Sequence, residues 1–358
     1  MKSALEEERH YLTTSRLLVL SSLRSLAKQC RRGFQDARRV AFPRQYRSIE
    51  GVVVCGMGGS ALGTDVLRSV YARELRVPLT IVNDYTLPAA ARRQTLVVLS
   101  SYSGSTEEVL AASQEARRRK CLITGLTQGG ALATLLRQYR VPWYQIDGSA
   151  NPSGQPRMGL GYSIMGQLGL LTALGLMRVS QSEVLALTAA VEEQIRERDS
   201  GVPRKSNAAK QLAERLYGTI PVLVSGEHLV GSMHAWANML NETAKTLAAS
   251  FPLPELNHHL LEGLRYPGST RQLNFVFADS SSLSQKLRSR LRITSQLVDR
   301  RHISTVVQRV HGQTLLEEAF DVLTLGGFVS FYLSILNHVD PLAIPTVDEF
   351  KRRLGRSG

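Results

Sequence analysis

A chain of 358 residues is long enough for two domains that each bury a core, and its hydrophobic fraction of 43% suits that reading. The net charge of +14 invites a nucleic-acid role, but pairs such as Arg31-Arg32, Arg92-Arg93 and Arg300-Arg301 are dispersed along the chain, with no single recognition helix, so no specific nucleic-acid partner is expected. Three cysteines without CxxC spacing, no secretory pattern after Met1 and no apolar run approaching a membrane span lead to the expectation of a cytoplasmic protein with no membrane contact.

Residues 1–40 read as a helical segment, with Leu17, Leu18, Leu20, Leu23 and Leu26 on a broad apolar face that would cover a lobe or meet a second subunit. Residues 41–178 then alternate strand and helix patterns, with strands expected at 52–54, 79–82, 96–99, 122–124 and 143–146. A polar, charged stretch at 179–205 reads as a helix plus linker. Residues 206–358 repeat the plan, with strands expected at 221–224, 273–278 and 303–307. The predicted fold class is α/β, each lobe a mainly parallel sheet flanked by helices.

The stretch Ser101-Tyr102-Ser103-Gly104-Ser105-Thr106 lies between a strand pattern and a helix opening at Glu107. The first turn of that helix leaves backbone N–H groups without intrahelical partners, and the dipole adds positive charge there. Hydroxyls of Ser101, Ser103, Ser105 and Thr106 would surround the spot, and Gly104 would let a ligand approach. An ordinary Ser/Thr cap is the plainer reading, but this many hydroxyls favours a metal-free phosphate seat. Gly56-Met57-Gly58-Gly59-Ser60, after the first strand, is a second loop of the kind. It resembles the start of a dinucleotide GxGxxG, with Ala61 in the third glycine's place and Asp84 as the acidic residue. Two such loops on one sheet suit a compact sugar phosphate better than a long dinucleotide.

GMGGSALGTDVL (56–67) and SYSGSTEEVL (101–110) closely resemble the paired motifs of sugar isomerase (SIS) domains. More narrowly, the chain resembles the bifunctional phosphoglucose/phosphomannose isomerases, whose chains of about this length hold two SIS-type lobes. Pro156-Arg157 in QPRMGLGYS, Asn241-Glu242 in LNETAK, the PELNH stretch at 254–258 and Asp340-Pro341 ahead of DEFKRRL support the narrower resemblance.

That resemblance implies reversible isomerisation of fructose 6-phosphate with glucose 6-phosphate and mannose 6-phosphate through an enediolate. Glu242 corresponds to the base that moves the proton between C1 and C2, a task suited to a carboxylate. Taken alone, a Glu with Lys245 three residues on reads as a surface pair. His258 matches the ring-opening histidine, although His259 follows where the family commonly has a polar residue. Lys351 matches the C-terminal lysine, and Arg157 the arginine that stabilises the enediolate. Ser60, Ser101, Ser103 and Thr106 would hold the phosphate, with backbone groups of Gly58 and Gly59 closing the site. Thr243 and Thr246 are counterparts for a threonine that leaves room at C2. The two histidines with Glu255 and Glu262 match no strong ligand spacing, so neither metal nor cofactor is expected. The resemblance also implies a homodimer in which His258 crosses the interface. The alternatives are a non-catalytic SIS-type sugar-phosphate sensor and an SIS isomerase for another sugar phosphate.

Overall fold

The computed structural model describes residues 4–354. Helices α1 (Thr14–Arg24) and α2 (Leu26–Arg38) precede the first sheet. That sheet contains β1 (Gly51–Cys55), β2 (Leu79–Val82), β3 (Thr95–Ser100), β4 (Leu122–Thr127) and β5 (Tyr144–Gln145). Its crossover helices are α3 (Gly59–Val70), α4 (Glu107–Arg118) and α5 (Gly130–Tyr139). All its pairs are parallel, in the order β2-β1-β3-β4-β5. Helices α6 (Leu160–Ala173), α7 (Gln181–Arg198) and α8 (Ala208–Leu216) lead to the second sheet. Its strands are β6 (Ile220–Gly226), β7 (Ala249–Leu253), β8 (Leu273–Asp279) and β9 (Ser304–Arg309). They are also parallel, in the order β7-β6-β8-β9. Helices α9 (Val230–Met239), α10 (Leu256–Gly263), α11 (Gln285–Asp299), α12 (Leu315–Leu336) and α13 (Pro345–Leu354) complete the chain.

The unbroken apolar runs of the central strands follow from burial on both faces. Val52, Val54, Leu96 and Val98 face an inner core shared by the two sheets. Val53, Cys55, Val97 and Leu99 face outward onto Val109 and Ala112 of α4 and Leu132 and Leu136 of α5. The second sheet repeats this, with Val222, Phe275 and Phe277 packed outward against Leu287 and Leu291 of α11.

Two expectations need correction. β7 was not among the expected strands: it is short, carries Pro252 and lies at the sheet edge, where a missing N–H is tolerated. The stretch at 179–205, expected as a helix plus linker, contains α7, which starts with a Ser180–Glu183 capping box and packs against α2 and α12. Finally, α12, with 22 residues and mean hydropathy 1.7, is long and apolar enough to cross a membrane. Within its apolar window 94% of residues are buried inside the protein, where α12 packs on α7, α8 and α9 as the central core helix.

The N-terminal pair is part of this core. α2 lies so close along α6 that a Cβ on Gly161 would come within 2.7 Å of the Gln29 side chain. Buried Gln29 donates through Nε2 to the carbonyls of Ala150 (3.0 Å) and Met158 (2.9 Å). The segment thus braces the turn that carries Arg157.

Candidate active site

In the first sheet the chain leaves β1 in one direction and β3 in the other. The crevice beyond the carboxyl ends of these two strands is where open α/β sheets bind ligands. Both glycine- and serine-rich loops sit there. Gly58 has a left-handed φ of 49° and precedes α3, which starts at Gly59. Ser60 is buried, and its Oγ accepts the Tyr102 N–H at 3.0 Å, tying the loops together. Ser101 Oγ lies 2.7 Å from Thr106 Oγ1 and accepts the Gly104 N–H at 3.1 Å. The Ser103 hydroxyl is exposed, 3.0 Å from that of Ser105. Gly104 is needed where it stands, since its φ is +72° and a Cβ would come within 1.8 Å of the Gly129 carbonyl oxygen.

The first loop touches the arginine turn directly. A Cβ on Gly59 would approach Pro156 and the Arg157 backbone nitrogen to about 3 Å, so only glycine lets these segments meet. Arg157 follows in the 3₁₀ turn Pro156–Met158, its side chain only 1% exposed. Its Nη1 lies 3.2 Å from Glu242 Oε2 and 2.9 Å from Gln155 Oε1. Nε donates to Thr243 Oγ1 at 3.2 Å, and Nη2 to the carbonyls of Pro341 (2.8 Å) and Leu342 (2.9 Å). One guanidinium therefore holds three segments that are far apart in sequence. Burial draws it below the ordinary arginine range, and the Glu242 carboxylate opposes that shift.

Glu242 sits in a π turn, Leu240–Ala244, that continues α9. Such single wide turns recur at functional sites because they re-aim a side chain at the end of a helix. The Glu242 side chain is 31% exposed, so a carboxylate paired with a buried cation remains reachable from solvent. Lys245 ends the turn in the left-handed region, at φ 53°. Its ammonium does not pair with the Glu242 carboxylate, as the spacing suggested. It donates instead to the backbone carbonyls of Glu242 (2.8 Å) and Asp340 (2.6 Å). Burial and then the Arg157 guanidinium push it down to about 8, against the opposing pull of Asp340 and Glu242.

Gly58, Gly59, Ser60, Ser101, Ser103, Thr106, Arg157 and Glu242 thus belong to one continuous region. His258 and Lys351 are not brought to it by contacts within this chain. His258 lies exposed on α10, and its ring forms no hydrogen bond or ion pair with a described residue. His259 beside it pairs with Glu255 at 3.5 Å. Lys351 is exposed on α13, a helix none of whose residues is buried. Among the described residues, no three His, Cys, Asp or Glu side chains are grouped as a metal site. Gln155 and the 340–342 carbonyls were not singled out by sequence reasoning, and Lys245 was read only as one half of a surface pair. DP at 340–341 marked the place, but nothing in it indicates that backbone oxygens are the groups used.

Residues 205–354 match the family model of the bacterial phospho-glucose isomerase C-terminal SIS domain. Among solved structures, a hypothetical protein from Thermus thermophilus superposes with a TM-score of 0.74 at 16% identity, covering 95% of this chain and 90% of its own. Glucosamine-6-phosphate deaminase from Thermotoga maritima gives 0.65 at 13% identity, covering 93% and 98%. These likenesses and the two parallel sheets define an SIS-type fold. A bifunctional phosphoglucose/phosphomannose isomerase from Caldicellulosiruptor bescii is 30% identical over 343 residues, which cover 94% of this chain and 98% of that one. A namesake from Aquifex aeolicus is 28% identical, covering 85% and 90%. The chain belongs to the bifunctional phosphoglucose/phosphomannose isomerase family.

Proposed function

We propose that this protein interconverts fructose 6-phosphate with glucose 6-phosphate and mannose 6-phosphate by proton transfer through an enediolate. The observation that carries the reading is the Arg157–Glu242 pair beside two phosphate-type loops. The hydroxyls of Ser60, Ser101, Ser103 and Thr106, with backbone groups of Gly58 and Gly59, would anchor the phosphate end of the open-chain sugar. The Glu242 carboxylate takes a proton from C2 of an aldose, and electrons move into the C1–C2 bond as the carbonyl oxygen gains charge. Arg157 meets that charge in a site where burial strengthens the interaction. Return of the proton to C1, with the C2 hydroxyl proton passing to the C1 oxygen, gives the ketose. Starting from the ketose, its return to either face of C2 gives the glucose or mannose epimer.

His258 is the group for ring opening, supplied by a second subunit, and Lys351 assists at the ring oxygen or the developing charge. Support for the two-subunit site lies in the exposed His258 ring, which forms no hydrogen bond or ion pair with a described residue. The same reading puts the enzyme in the cytoplasm, in carbohydrate metabolism between glycolysis and gluconeogenesis.

The deciding experiment incubates the purified chain with fructose 6-phosphate, without added metal, and follows glucose and mannose 6-phosphate separately. Both products are expected, and Glu242→Gln is expected to lower kcat at least about 10²-fold. Sugar-phosphate binding without either product would overturn the catalytic reading in favour of a sensor.

A further inference from the structure

The second lobe has hydroxyls where the first has them. β8 ends at Asp279, and Ser280-Ser281-Ser282-Leu283-Ser284 follows before α11. By strand order this loop corresponds to 101–106, and Gly226-Glu227-His228 after β6 corresponds to the glycine loop after β1.

In the second lobe, however, an anion from the chain itself fills the place. Glu318, in the first turn of α12, is 1% exposed. Its Oε2 accepts from Ser280 Oγ at 2.6 Å and lies 2.6 Å from His228 Nε2, while Oε1 accepts from Ser282 Oγ at 2.8 Å. Ser280 and His228 are themselves 0% and 3% exposed. A buried carboxylate is costly unless donors surround it, and here three side chains do so. Burial alone would push this carboxyl up, but His228 and the two serines outweigh it and hold Glu318 below the ordinary range. In the first lobe, among the described residues, no carboxylate accepts from Ser60, Ser101, Ser103 or Thr106.

We infer that the second lobe contains an anion seat equivalent in position to the first lobe's phosphate loops, occupied permanently by the Glu318 carboxylate. Its ligand class is a small oxyanion, phosphate or carboxylate. A cleft of about 360 Å³ reaches the seat, with His228 and Ser282 on its wall beside Arg73 and Leu315. Removing the carboxylate would therefore open the seat to solvent ions. The inference does not depend on the catalytic reading.

The test uses the full chain with Ser101→Ala and Thr106→Ala, which remove first-lobe hydroxyls, and inorganic phosphate as probe at constant ionic strength. With Glu318 present, phosphate is expected to give only the small Tm gain that the weakened first-lobe loops still allow. Adding Glu318→Ala is expected to lower Tm in chloride and to give a gain of about 5 °C in saturating phosphate. Glu318→Gln fills the same volume with a neutral amide and is expected to lower Tm with no phosphate gain beyond that seen with Glu318 present. An alanine variant that recovers nothing in phosphate, or a parent chain that gains as much as the variant, overturns the inference. So does an alanine variant that folds in neither buffer.

Discussion

At the scale of single residues, Arg157 and Lys245 act as a pair of cations on one strip of backbone. Between them they bond the carbonyl oxygens of residues 340, 341 and 342, and both also reach the turn holding Glu242. Their difference is in titration. Arg157 stays charged through any working pH, whereas Lys245 is pushed down to about 8. Because its folded value lies below its unfolded one, the folded chain binds fewer protons between about 8 and the ordinary lysine value. Lys245 therefore costs stability below pH 8, and that cost is removed as pH rises through this window. The expected outcome is that the Tm of the parent rises relative to that of Lys245→Met from pH 8 to 10.5, measured by calorimetry at matched ionic strength. A constant difference would mean that the lysine titrates normally. Lys245→Gly separates backbone from side chain. Glycine relieves the left-handed strain, worth about 1 kcal/mol, so Lys245→Gly is expected to be more stable than Lys245→Met, which keeps the strain and likewise lacks the two bonds to carbonyls.

At the scale of elements, the loop after β3 is set by Gly104 and its hydroxyls. Gly104→Ala is expected to cost at least about 1–3 kcal/mol, because the residue must hold a positive φ and its Cβ would overlap the Gly129 carbonyl. Ser101→Ala acts differently: on the proposed reading it would remove one bond to the phosphate in ground and transition states alike. KM is expected to rise about tenfold with kcat little changed, read from steady-state kinetics. The contrast between these variants also marks how far the sequence was informative. Strands such as 52–54 and 96–99 were legible because residues buried on both faces leave an unbroken apolar run. The loops were legible because hydroxyls and glycines cluster at a strand–helix junction. β7 was not, since Ser250, Pro252 and an edge position break the usual pattern. LNETA reads as ordinary helix, and only the hydrogen bonding makes it a π turn. The partners of Arg157 at 341 and 342 lie 184 and 185 residues away, a distance that no local pattern bridges.

At the scale of the whole molecule, α3, α6, α9 and α12 bind the two sheets into one inner core. A site spread over both lobes is thereby held without a flexible joint, yet it is incomplete in one copy if His258 belongs to the neighbour's site. Mixing tests this. Glu242→Gln and His258→Ala chains are each expected to be nearly inactive, but equal amounts allowed to exchange subunits should regain about a quarter of parental activity, since half the dimers then hold one intact site of two. No recovery, with mixed dimers shown to form by mass spectrometry, would place both groups in one chain's site.

The two bonds from Arg157 to the carbonyls of Pro341 and Leu342 also act as a latch. α13 begins at Pro345, only a few residues past the latch, and none of its residues is buried. A substitution that removes the guanidinium removes these two bonds together with the pair to Glu242. The guanidinium that pairs with Glu242 is therefore also the anchor of the segment from which α13, with Lys351, departs.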